Sequence, residues 1–135
     1  MMRAWIALIL MLMAPLAPAS EKTDAAVTAA NRWLRQVDNG EYPAAYAAAS
    51  ALMRQKVAFD AWQGAIAQSR TPLGMVHKRE LTYGALQKEL PGLARGDYAQ
   101  LRFRTDFATK YEVTESITMM LDSDGQWRPI GYFIK

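Results

Sequence analysis

The sequence contains no cysteine, so disulfide bonds, thiolate metal sites and thiol catalysis are all excluded. It holds one histidine, His77. A Ser-His-Asp triad would have to use that residue with Ser50, Ser69, Ser116 or Ser123, and none of these serines sits in the sharp strand-to-helix turn that exposes a nucleophile. The histidine has no further ligands at a metal-binding spacing, and no glycine-rich loop is present to cradle a phosphate. Charge of one sign is scarce. The 16 Lys and Arg stand against 13 Asp and Glu, a net charge of +3, too weak to steer a polyanion, so nucleic-acid binding is not expected. No metal and no cofactor is expected either.

Long apolar runs are also missing. Residues 4–13 are apolar, but a bilayer span needs about 20 such residues. With Arg3 before this run and Ala17-Pro18-Ala19 after it, residues 1–19 have the order of a secretory signal with an A-x-A cleavage site. Cleavage is expected near Ala19. A lipid anchor would need a cysteine just after the cut, so the product is expected to be free in the periplasm or secreted, with no transmembrane segment. Residues 20–135 then form one domain, large enough to bury roughly two thirds of its unfolded surface without covalent staples.

The first half of that domain reads as helical. Val27, Ala30, Trp33, Leu34 and Val37 recur at three- and four-residue steps, predicting a helix over residues 24–37 capped by Thr23 or Asp24 and stopped at Gly40. A second helix is predicted over residues 43–53, with Pro43 in its first turn. A third spans residues 59–69, on Phe59, Trp62 and Ile66, and ends at Arg70-Thr71-Pro72-Leu73-Gly74. After Gly74 the period changes to two. Strands are predicted over residues 75–86, 98–107, 112–121 and 127–135, the last three as an antiparallel meander closed by the Asp124-Gly125 hairpin signal. Pro129 argues for an edge or a bulge in the last strand. Helices followed by strands predict an α+β fold, with N-terminal helices packed on a curved, mainly antiparallel sheet of about four strands.

Trp33, Asp38-x-Gly40-x-Tyr42, Tyr46, Trp62, Arg70-x-Pro72-Leu73-Gly74, Arg79, Pro91-Gly92, Tyr98, Glu115, Asp124-Gly125-x-Trp127-Arg128 and Gly131-Tyr132-Phe133 together resemble an exported bacterial group, domain of unknown function family 4019. Through that group the chain is similar to the nuclear-transport-factor-2-like and cystatin-like cones. The resemblance implies a curved sheet wrapped around helices, often with a pocket at its mouth, and implies no particular activity.

One residue breaks the apolar pattern of its strand. Glu115 alternates with Val113, Ile117, Met119 and Leu121, and a carboxylate on that face must be paired or neutralised. Arg79 shares a side with Met75, Leu81 and Tyr83, so an interior Arg79–Glu115 pair is expected, as a structural ion pair or as part of a ligand site; the alternative is a strand bulge that turns Glu115 outward. Arg79, Tyr83, Trp62, Glu115 and Tyr132 are the candidate pocket residues. Two functions follow from different classes. The first is a non-catalytic binding or accessory module for a small ligand, a peptide or a partner protein, possible as a homodimer. The second is a small pocket enzyme with Glu115, or Asp106, as acid-base residue. A pocket reaching Glu115 from solvent would favour the enzyme; a filled interior would favour surface binding.

Overall fold

The computed structural model describes residues 19–135, with side chains from residue 21; the expected leader lies, but for Ala19, outside the described residues. Helix α1 spans Ala19–Asp38 and starts earlier than its apolar spacing predicts, so Thr23 and Asp24 lie within it rather than at its cap. Its stripe of Ala26, Ala30, Trp33, Leu34 and Val37 is buried. Gly40 stops it at φ +72°. The Gly40 N–H reaches the Val37 carbonyl at 3.0 Å and the Glu41 N–H reaches that of Gln36 at 2.9 Å, the double closure that a glycine at this position permits.

The expected second helix is two helices, α2 over Tyr42–Ala48 and α3 over Ala51–Lys56. Ser50 makes the break. Its hydroxyl accepts the Leu52 N–H at 3.3 Å and caps α3, while its own N–H donates to the Pro129 carbonyl at 2.9 Å. Helical continuity is exchanged for a tie to the last strand, as a side chain that competes for backbone groups allows. The indole N–H of Trp33 donates to the buried Ala45 carbonyl at 2.8 Å and holds α2 on α1. Helix α4 covers Phe59–Arg70 and passes through a 3₁₀ turn, Thr71–Leu73, into Gly74 at φ +76°.

Four strands follow: β1 (Val76–Gln87), β2 (Tyr98–Phe107), β3 (Val113–Leu121) and β4 (Trp127–Ile134). They form one antiparallel sheet in the order β1-β2-β3-β4. The sheet is open, with β1 and β4 at its edges, and the meander includes the first strand as well as the expected three. In β2 the buried Ala99, Leu101, Phe103, Thr105 and Phe107 alternate with Gln100, Arg102, Arg104 and Asp106 on the other face. The helices cover the first of these faces, and Trp33, Leu34, Leu101, Phe103, Ile117 and Met119 form its core; each such side chain contributes roughly 1.5–3 kcal/mol when fully buried. Pro129 sits on the edge strand beside a bulge, where the register steps from Thr118 opposite Gly131 to Met119 opposite Pro129. Among the described residues no helix is long and apolar enough to cross a membrane.

Candidate functional site

The polar residues on the covered face meet at one place. Every strand contributes one: Arg79 from β1, Thr105 from β2, Glu115 from β3 and Tyr132 from β4. The ends of two helices supply Asp38 and Arg70. Glu115 is 0% exposed. Its Oε1 accepts the Arg79 Nε–H at 2.8 Å and the Thr105 hydroxyl. Its Oε2 accepts the Tyr132 hydroxyl and the Arg79 Nη2 at 3.3 Å, with Arg70 Nη1 at 3.8 Å. The expected Arg79–Glu115 contact is thus present, but within a larger constellation.

Arg79 is shared between two carboxylates. Its Nη1 donates to Asp38 Oδ2 at 2.8 Å and its Nη2 to Asp38 Oδ1 at 2.9 Å, a bidentate grip that the planar guanidinium fork suits. Arg70 Nη2 adds a third bond to Asp38 Oδ1 at 2.6 Å. A carboxylate at the C-terminal end of a helix opposes the helix dipole, so Asp38 depends on these cations. Burial pushes the Asp38 pKa up, but the bonds and charges of Arg79 and Arg70 outweigh it and hold it below the usual carboxylate value. Burial lowers the Arg79 pKa, and the two carboxylates more than reverse this. Burial and the Glu115 charge push the Tyr132 phenol well above its ordinary range. Arg70, 6% exposed, also lies 4.9 Å over the Phe107 ring, and its Nε has no hydrogen-bond partner.

The other candidates divide. Trp62 lies in the adjoining aromatic cluster, with ring centres 6.3 Å from Trp33 and 5.5 Å from Tyr46; Trp33 in turn meets Tyr132 at 5.5 Å. Tyr83 does not join them. The register steps from Leu81 opposite Phe103 to Tyr83 opposite Arg102, so Tyr83 turns to the outer face, where the Arg102 guanidinium lies 4.6 Å over its ring. Leu81, paired with Phe103 ahead of that irregularity, keeps the side of Arg79 although it is exposed, and the exposed Met75 precedes β1, so the expected shared side fails for Tyr83.

Among the openings beside β4, two are bordered by Tyr132. On the outer face, Gln100, Arg102, Ser116, Thr118, Gly131 and Phe133 border a hollow of about 360 Å³. Between α4 and β4, Trp62, Ala65, Ile66, Ser69, Tyr132 and Ile134 border a crevice of about 180 Å³. Neither is bordered by Glu115. Tyr132 stands at both openings while its hydroxyl closes on the carboxylate. Among the described residues no group of three or more His, Cys, Asp or Glu is placed to hold a metal ion.

Asp38, Arg70 and Thr105 were not among the expected site residues, although their positions carry the same signal as Glu115. Asp38 continues the row Ala30, Leu34 at four-residue steps. Arg70 continues Trp62, Ile66 in the same way, and Thr105 falls between Phe103 and Phe107 on the covered face of β2. Neither a curated protein nor a solved structure matches this chain. The model of the family described as "Protein of unknown function (DUF4019)" matches residues 29–132, a stretch that contains all six residues of the cluster, and the chain belongs to that family.

Proposed function

We propose that the chain is an exported, non-catalytic binding or accessory module whose ligand or partner docks on the outer face of the sheet. The observation that carries this reading is the state of Glu115: no exposed surface, and both oxygens engaged. A general base must come within hydrogen-bond reach of the proton it removes, and this carboxylate meets only its own protein. Asp106, the other acid-base candidate, accepts the Glu112 N–H at 2.8 Å and holds that residue at φ 56°, a structural task. Export is supported by the charged, apolar and A-x-A order of residues 1–19.

The outer hollow supplies the accessible chemistry. Arg102 has no acidic partner among the described residues and is held by the Tyr83 ring. Gln100, Ser116 and Thr118 add hydrogen-bonding groups, and Phe133, 63% exposed, adds an apolar wall. This combination suits a ligand bearing an anionic group beside a flat apolar part. Native mass spectrometry of protein taken from the periplasmic fraction tests the reading, on the wild type, Arg102→Ala and Glu115→Gln. The expected result is the mass of residues 20–135 with a retained adduct in the wild type and Glu115→Gln, lost in Arg102→Ala. Bare protein in every case, or an adduct lost only with Glu115→Gln, would overturn surface binding; an uncleaved chain would overturn export.

A further inference from the structure

The two edges of the sheet differ. β1 carries Lys78, Arg79 and Glu80 and two irregularities of register, the charges and bulges that keep an edge from pairing. β4 is protected only in its first half, where Pro129 lacks an N–H and its carbonyl is taken by Ser50. From Gly131 to Ile134 it has no charge and no proline. Lys135 and Thr114 exchange both backbone bonds, at 2.9 and 3.1 Å. Such pairs recur at every second residue of an antiparallel ladder, so Phe133 and Gly131 turn their N–H and C=O toward β3, while Tyr132 and Ile134 turn theirs away from the sheet. Among the described residues no backbone group takes these up.

We propose that this edge seats a second copy of the same chain, related by a two-fold axis at Phe133, so that the two sheets join into one. In that register Tyr132 of each copy lies opposite Ile134 of the other and the two exchange N–H and C=O. Phe133 faces Phe133, and Lys135 faces Gly131. The side chains match both flanks. Ile134 of the second copy comes beside the crevice bordered by Trp62, Ala65, Ile66 and Tyr132, where α4 presents the small Ala65 and Ser69. The exposed Phe133 rings cover each other on the outer face, a favourable cross-strand pair. Gly131 has open space where a Cβ would stand, which accommodates the stem of Lys135. That lysine is the one charge in the paired segment and it faces a glycine, so no like charges meet. An extended peptide would find the same backbone groups, but the chain's own edge fits both flanks in a single register. This assembly does not depend on the surface-binding reading, and it takes up Gly131 and Phe133, two of the residues that border the outer hollow.

The cysteine-free sequence makes the test direct. Phe133→Cys puts a thiol at a non-hydrogen-bonded pair, where opposed Cα atoms stand about 4.5 Å apart, inside the roughly 4.4–6.8 Å range of a disulfide. The wild type is expected to run as a dimer in light-scattering chromatography. Under mild oxidation Phe133→Cys is expected to form a disulfide-linked dimer at least about tenfold faster than Ser123→Cys in the hairpin turn. Ile134→Pro removes an outward N–H without touching a bond to β3, and is expected to weaken association by about tenfold or more with unchanged circular dichroism. A wild-type monomer at every concentration up to about millimolar, or cross-linking of Phe133→Cys no faster than of Ser123→Cys, overturns the proposal. So does a monomer that carries a peptide released by Ile134→Pro.

Discussion

The two faces of the sheet use the same residue type to opposite ends. On the covered face Arg79 bonds two carboxylates and is 10% exposed. On the outer face Arg104, 48% exposed, meets Glu112 at 2.8 Å and Glu80 at 3.7 Å. The bond lengths are alike, yet their energetic standing differs. Water screens the outer pairs and replaces a lost partner, so exposed pairs contribute little. Inside, a charge stripped of its partner has nothing to turn to. Lys78, Arg102 and Arg104 also share the outer face, where Glu80 and Glu112 face Lys78 and Arg104 and leave Arg102 without an acidic partner among the described residues.

Removing one guanidinium from each face breaks the comparison open. Arg79→Met is expected to cost about 3–5 kcal/mol, since Glu115 stays buried without its main cation; Arg104→Met is expected to stay within about 0.5 kcal/mol. Urea unfolding of both variants checks this, and equal costs would mean that the inner cluster is hydrated. A milder cut is Thr105→Val, which removes one donor to Glu115 and keeps the shape, at about 1–3 kcal/mol. The matching change outside, Thr114→Val, is expected to be nearly silent.

The gentlest probe is pH. Asp38 is held below its ordinary 3.8, so the folded state binds that proton less readily than the unfolded chain. The stability it contributes is complete above about 3.8 and disappears as pH falls through the lower folded value. Tyr132 works in the opposite sense: its phenol is raised above 10.0, so the folded protein keeps a proton that the unfolded chain loses, and stability declines as pH rises above about 10. Urea midpoints measured across pH should decline at both ends. Tyr132→Phe should flatten the alkaline decline.

Much of this arrangement is written in the residues. The boundaries of β2 follow from alternation alone, and Glu115 announces itself as a carboxylate among apolar neighbours. Pro129 marks its own edge and bulge. Asp38 and Arg70 escape the same reading because they close helices, where a polar residue is ordinarily explained by exposure of the last turn. Thr105 escapes because a β-branched hydroxyl is at home in any strand. Tyr83 is misplaced for a different reason: one irregularity between Leu81 and Tyr83 reverses the side of everything after it, and nothing in the sequence marks it. The break at Ser50 depends on Pro129, far along the chain, and so is invisible to local spacing.

The cluster also does what a cross-link does. Its bonds join residues 32, 36, 41 and 62 positions apart, each closing a long loop of chain. Because these closures are ion pairs and hydrogen bonds and the chain has no cysteine, they form without an oxidant and no reductant can open them. The domain therefore stands equally firm in reducing and oxidising surroundings, with its weak point moved from redox potential to the extremes of acidity.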